Sequence, residues 1–251
     1  MNFFIKKARK IAGKMKQAAI HYSKLHFPKF FLKTKEARNS FSPFTLPFLK
    51  KYLNFQGGYY VELGANNGLG QSNTYHLEKL KNWRGILIEP SPNQFADLKK
   101  FRSAKKNKFF CNACVSFDYK EDFVEMNYAN LMTISLSLPG ELDHQSHAQA
   151  ALPYMKSGEK IHTFKSKART LTSIFKEANA PHKMDFLSLD VEGVEMEVLQ
   201  GIDHDLYRFR YLLVEIFSQK QKMVDYLKKQ DYFWVEEVTD HDFLFQDGRK
   251  E

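Results

Sequence analysis

The chain has 251 residues, 43% hydrophobic and 27% charged, which is enough for one sizeable core without disulfide staples. Its 23 Phe and 12 Tyr exclude a mainly disordered chain, and no uncharged apolar run approaches the ~18 residues of a membrane span. The net charge of +9 is uneven: residues 1–51 hold 13 Lys/Arg against one acid, Glu36, and the rest holds 25 Lys/Arg against 28 Asp/Glu, so the domain itself argues against a nucleic-acid partner.

Residues 4–25 carry Ile5, Ala8, Ile11, Ala12, Met15, Ala18, Ala19, Tyr22 and Leu25 at helical spacing among lysines. This predicts a basic amphipathic helix. Its uses range from an anionic membrane surface to docking on its own domain or a partner, with RNA a weaker third. Residues 26–56, with Pro28, Pro43 and Pro47, read as a connector. No secretory h-region precedes Lys6-Lys7, and the cysteines number two. The expected setting is therefore cytoplasmic, with peripheral membrane contact through the arm.

The pattern changes at Gly57-Gly58. The expected domain, residues 57–251, opens with a buried strand, Tyr59–Leu63, a Gly-rich turn and a helical stretch through Lys81. Gly85–Glu89 is a second strand, and Pro90-Ser-Pro92 opens a helix to about Phe101. Lys108–Val115 reads as one strand. Cys111 and Cys114 would then point to opposite faces, which disfavours a redox pair or a metal site. Residues 122–138 are strand material, and 139–168 is polar and aperiodic, a candidate lid. A helix is expected over 170–179, a strand over Asp185–Asp190 and a short helix over Val194–Leu199. Strand Tyr211–Phe217, a helix over 219–230 and strands Phe233–Val238 and Asp242–Gln246 complete the chain. Alternating strands and helices imply an α/β, doubly wound, mostly parallel sheet. The short link Thr239-Asp-His241 requires the last two strands to pair antiparallel.

Three strand ends carry candidate chemistry. Val61-Glu-Leu-Gly-Ala-Asn-Asn-Gly-Leu-Gly70 has the acid-x-Gly-x-x-x-Gly spacing of nucleoside-binding methyltransferases and lacks the dinucleotide GxGxxG. Glu89 ends the next strand, where a carboxylate can accept from a ribose diol. Asp190 ends a strand expected to be central, with Glu192 and Glu195 just beyond. Buried acids of this kind serve a ligand, a metal or a cap, and Glu195 is most simply a first-turn acid. Asp143, His144 and His147 have ligand chemistry but read as a solvated loop. Glu215 is buried by pattern and needs a partner. Turn chemistry explains His241 and Asp242 about as well as function does.

Together Val61–Gly70, Trp83–Pro92, Asp185–Leu199, Tyr211–Ile216 and His241–Phe245 resemble the FkbM family of S-adenosylmethionine-dependent methyltransferases. The string Ser188-Leu-Asp-Val-Glu-Gly-Val-Glu195 is the most specific piece, although many relatives carry Lys where this chain has Ser188. The resemblance implies a class I methyltransferase (Rossmann-like) sheet of seven strands with the last antiparallel. It implies transfer of a methyl group from S-adenosylmethionine to a hydroxyl of a small molecule or glycan, most simply a sugar, lipid-linked or polyanionic if the basic arm gathers it. On that resemblance Glu62, Gly64, Ala65, Asn66 and Gly68 line the methionine side and Ser72 binds its carboxylate. Glu89 holds the ribose, Ala113 and Cys114 lie near the adenine, and Asp190 faces the methyl group as base. Glu192 and His241 fall on the acceptor side. No residue is assigned to a metal. The sequence leaves open whether a raised pKa or a divalent metal aids the base. The rival readings are an oxidoreductase, disfavoured by the absent GxGxxG, and a non-catalytic scaffold binding membrane or RNA through its arm.

Overall fold

A computed structural model describes residues 51–140, 142–155 and 158–249. The expected basic helix over 4–25 and most of the connector lie outside the described residues. The described end of that connector belongs to the domain. Leu53 is fully buried, Tyr52 and Phe55 pack beside it, and Trp83 Nε1 donates to Phe55 O at 2.8 Å.

The strands are β1 (Tyr59–Leu63), β2 (Arg84–Ile88), β3 (Asn107–Phe110), β4 (Ala113–Cys114), β5 (Phe123–Tyr128), β6 (Ile134–Ser135), β7 (His162–Arg169), β8 (Lys183–Leu189), β9 (Arg208–Glu215), β10 (Tyr232–Glu237) and β11 (Asp242–Asp247). The helices are α1 (Tyr75–Lys81), α2 (Pro92–Phe101), α3 (His144–Ala151), α4 (Leu171–Ala178), α5 (Glu195–Leu199) and α6 (Lys220–Lys229). The main sheet has seven strands in the order β10-β11-β9-β8-β1-β2-β3. β3, β2, β1, β8 and β9 run parallel, and β11 is antiparallel to both its neighbours. This is the expected seven-stranded arrangement. The strand order reverses between β1 and β8, so a crevice opens at their carboxyl ends.

Alternation along the central strands fills both faces of the sheet. Val61, Leu63, Ile86, Ile88, Leu187 and Leu189 enter one core with Ile174 and Phe175 of α4 and Leu227 of α6. Tyr60, Leu87 and Phe186 enter the other with Leu77 of α1, Trp83 and Leu98 of α2. A parallel sheet needs this two-sided cover.

Three segments differ from expectation. The strand foreseen over 108–115 is two strands: β3 ends at Phe110, and β4 leaves the main sheet to pair with β7. The aperiodic stretch 139–168 contains helix α3 and the eight-residue strand β7, which joins β4, β5 and β6 in a second sheet. Neither shows apolar periodicity. α3 reads HQSHAQAA, and β7 buries only Ser166 fully. The signal for α3 was its N-cap, where Asp143 accepts from Ser146 N at 2.8 Å. Finally, α1 begins only at Tyr75, after a long loop.

That loop is held from behind. Arg102, 3% exposed at the end of α2, donates from Nε to Glu78 Oε2 at 2.7 Å. Its Nη2 donates to Tyr60 OH at 2.7 Å and Thr74 Oγ1 at 2.9 Å, and its Nη1 lies 3.3 Å from Glu62 Oε2. Burial pushes the Glu78 carboxyl up, but the Arg102 charge and hydrogen bond hold it down at about 2. Replacing Arg102 with Met would leave two buried carboxylates without their cation. The expected loss in chemical denaturation is about 3–5 kcal/mol. A loss within about 0.5 kcal/mol, as at an ordinary surface site, would show that the network does not support the fold.

Candidate active site

The carboxyl ends of β1, β2, β8 and β9 open into one cavity of about 1000 Å³. The segment 138–153 covers it through Leu138, Gln149, Ala150, Leu152 and Pro153, and Asn130–Thr133 close one side. From the stretch 139–168, Gln149, Ala150, Leu152 and Pro153 form part of the wall. Of the residues singled out from sequence, Glu62, Gly64, Ala65, Asn66, Ser72, Glu89, Ala113, Cys114, Asp190, Glu192 and Glu215 all line this cavity.

Two others do not. Gly68 faces away from it. Its φ is +72°, and a Cβ there would meet Leu98 Cδ1 at 2.3 Å and Arg102 Cγ at 2.7 Å. Close packing against α2 fixes this glycine, and it is not on the cavity wall. His241 is exposed, with its ring 5.2 Å from that of Phe217, and only Phe217 reaches the cavity.

Glu62 and Ser72 reach the wall but are engaged with each other. Glu62 Oε1 accepts from Ser72 Oγ at 2.9 Å and Asn73 N at 2.8 Å, and Oε2 accepts from Thr74 Oγ1 at 2.6 Å. The Ser72 hydroxyl in turn accepts from Tyr75 N at 3.1 Å. Its proton points at Glu62, so the structure does not present it to a ligand carboxylate. The pair shapes the loop after β1.

Glu89 is different. It is 4% exposed, and its two oxygens accept from Asn66 N and Ser91 N, each at 2.8 Å. Each oxygen retains capacity for another donor. Burial raises its pKa to about 7, with the two backbone hydrogen bonds opposing. Gly64 sits beside it with φ +69°, and a Cβ there would stand 1.8 Å from Asp190 O. Only a glycine allows the ends of β1 and β8 to touch in this way.

Asp190 and Glu215 face each other across adjacent strand ends and share a hydrogen bond. Burial, then the charge of Glu192, raises Asp190 well above the usual carboxylate range, and burial followed by the charge of Asp190 raises Glu215 as well. Glu192 is placed beside them by a left-handed backbone, φ +59°. Glu195 turns back to accept from Val191 N and Gly193 N, both at 3.1 Å, and so stabilises the turn that carries Glu192. His147, read from sequence as part of a solvated loop, is 7% exposed on α3, with Nε2 3.1 Å from Glu192 Oε2.

One lining residue was not singled out from sequence. Asn73 donates from Nδ2 to Ser188 Oγ at 2.9 Å, and its Oδ1 is buried with no partner. A lone Asn in a polar turn gives no periodic signal. No Lys, Arg or His is among the residues lining the cavity, so its described wall is acidic.

A model described as the methyltransferase FkbM domain matches residues 62–244. Among solved structures, a methyltransferase FkbM from Methylobacillus flagellatus KT is 12% identical at a TM-score of 0.43, covering 92% of this chain and 58% of that one. This chain thus spans little more than half of that relative's length. A precorrin-6y C5,15-methyltransferase from Geobacter metallireducens GS-15 is 11% identical at 0.41, covering 88% and 93%. TrmK from M. capricolum, in complex with S-adenosyl-homocysteine, is 7% identical at 0.41, covering 81% and 68%. No curated protein matches the chain. The family match runs from within β1 to within β11 and takes in every cavity-lining strand end, and the chain belongs to the FkbM family of S-adenosylmethionine-dependent methyltransferases.

Proposed function

We propose that the protein transfers a methyl group from S-adenosylmethionine to a hydroxyl, most simply of a sugar or glycan. The observation that carries this reading is Glu89, a buried carboxylate with free acceptor capacity at the end of β2, in an acidic cavity.

The residues fit the cofactor. Glu89 suits two ribose hydroxyls. The partnerless Asn73 Oδ1 suits an ammonium group beside the turn at Gly64–Asn66. Ala113 and Cys114 give an apolar wall for the adenine. The acidic lining favours a ligand carrying positive charge, and it disfavours a dinucleotide with its anionic pyrophosphate.

When bound, the cofactor supplies an electrophilic methyl group on a sulfonium. Asp190 accepts the acceptor hydroxyl's proton. Burial and Glu192 raise its basicity above that of an ordinary carboxylate, and general-base assistance contributes roughly 10²–10⁴-fold. The covering segment 138–153 excludes water and holds the acceptor, so alignment contributes as well. On that side Asn130, Thr133 and Gln149 alternate with Met132, Leu138 and Leu152. Such a wall suits a sugar, which has an apolar C–H face and a rim of hydroxyls. Glu192 lies on this side, and His241 contributes through Phe217.

The basic arm, +12 over residues 1–51, fits contact with an anionic membrane or with a lipid-linked acceptor. The protein then works in the cytoplasm, at the inner face of the membrane.

Calorimetric titration should show micromolar binding of S-adenosylmethionine and S-adenosylhomocysteine, none of NADH, and loss of adenosyl binding in Glu89→Ala. Binding of NADH alone would overturn the transferase reading. Because the ribose binds ionised Glu89, whose pKa in the free protein is about 7, affinity for S-adenosylhomocysteine should weaken as pH falls below 7. The slope approaches tenfold per pH unit, and Glu89→Gln should flatten it. An unchanged slope in that variant would place the titration elsewhere. Deleting residues 1–25 should weaken sedimentation with anionic liposomes at low salt, and equal sedimentation would remove the membrane role.

A further inference from the structure

Asp190 follows β8, Glu215 ends β9, and Glu192 lies two residues beyond Asp190. One carboxylate oxygen from each lies within 4.8 Å of the others. An octahedral ion with ligands at about 2.1 Å spaces neighbouring oxygens about 3.0 Å apart and opposite ones about 4.2 Å apart. The cluster therefore has nearly the dimensions of one coordination sphere. No Lys or Arg among the cavity-lining residues balances it.

Acidity alone does not make a site. Two further atoms point to a cation. His147, 93% buried on α3, presents Nε2 to the cluster, 3.1 Å from Glu192 Oε2, and that nitrogen makes no hydrogen bond. Glu215 Oε2 is also buried with no hydrogen-bond partner. A buried ring nitrogen that faces Glu192 without a hydrogen bond, and a buried oxygen of Glu215 with none, are costly unless something binds beside them.

We propose that Asp190, Glu192 and Glu215, with His147 behind Glu192, form a binding site for a divalent cation, Mg²⁺ or Mn²⁺. Carboxylate oxygens with no thiolate select a hard ion of this kind. The ligands come from two strand ends and the turn after β8, and His147 of the covering helix contacts Glu192, so the ion links the cavity floor to its cover. Its role rests on the transferase reading: the ion would hold the acceptor oxygen and make its proton easier to remove, with one Asp190 oxygen on the ion and the other left to accept that proton. Binding of the ion itself does not depend on that reading.

The test uses the full chain stripped with EDTA. Mn²⁺ is titrated in, and the six-line electron paramagnetic resonance signal of free Mn²⁺ is followed. Binding of S-adenosylhomocysteine is measured in parallel. Wild-type protein should bind about one Mn²⁺ at micromolar to submillimolar concentration, and Mg²⁺ should displace it. Glu215→Gln should weaken binding at least tenfold, His147→Gln several-fold, and Mn²⁺ should raise the melting temperature of wild type but not of Glu215→Gln. Retained S-adenosylhomocysteine binding in Glu215→Gln shows that the variant is folded. Absence of Mn²⁺ binding up to millimolar concentration, or equal binding by Glu215→Gln, overturns the site. Mn²⁺ binding without adenosyl binding keeps the cation site and fails the cofactor assignment. Adenosyl binding without Mn²⁺ does the reverse.

Discussion

The buried guanidinium of Arg102 is the constraint on which the cavity depends. Removing an arginine and two carboxylates from water is expensive, and the arrangement holds only because nearly every polar atom in it is partnered. Tyr60 links β1 to the network, Asn107 links β3, Glu78 links α1, and Arg102 itself comes from α2. Glu62 is the member that faces forward. Through it the residues Ser72, Asn73 and Thr74 are fixed against the end of β1. A loop of this length would otherwise sample many conformations. Here it is tied at both ends, since Asn66 N also donates to Glu89 and Asn73 Nδ2 to Ser188.

Preorganisation passes from the loop to the central strands by contact. The missing Cβ of Gly64 lets the β1 turn rest on the backbone of Asp190. Whatever lies along the Gly64–Asn66 turn is therefore adjacent to Asp190. Any side chain at Gly64 would separate the two strand ends, so the glycine governs the distance between the β1 turn and the acid cluster. The sheet's strand order makes the crevice, and this single close approach sets its width at the centre.

The parts of the fold legible in the sequence were those under strong apolar constraint. β1, β2, β8 and β9 are buried on both faces and read as short apolar runs. α2 announced itself by Pro92, and the β10–β11 pairing by its short turn. The second sheet was harder, because β7 alternates Lys and Arg with small residues and presents most of them to solvent. Within the site, Glu89 and Asp190 were legible because a strand-terminal acid at a switch point is unusual chemistry. Arg102 and Asn73 were not. An Arg at a helix end reads as an ordinary capping cation, and only the folded chain shows that it is buried. His147 was misread as solvated because α3 has no apolar stripe to announce which of its faces is covered.

The sequence could not separate two kinds of buried acid, and the separation has functional content. Glu62 and Glu78 lie behind the loop, and the chain supplies them with Arg102. Glu89, Asp190, Glu192 and Glu215 lie in front of it, and no Lys or Arg reaches them along the cavity wall. Buried acids that the chain partners stabilise structure, and buried acids that it leaves in a cavity are matched by what enters. The negative wall also restricts the acceptor. Under the proposed reading, a polyanionic acceptor would have to keep its charges outside the cavity. The lysines of residues 1–51 are the part of this chain with the charge to receive them. On that proposal the acidic cavity and the basic arm would be complementary devices, one rejecting anions and the other concentrating them nearby.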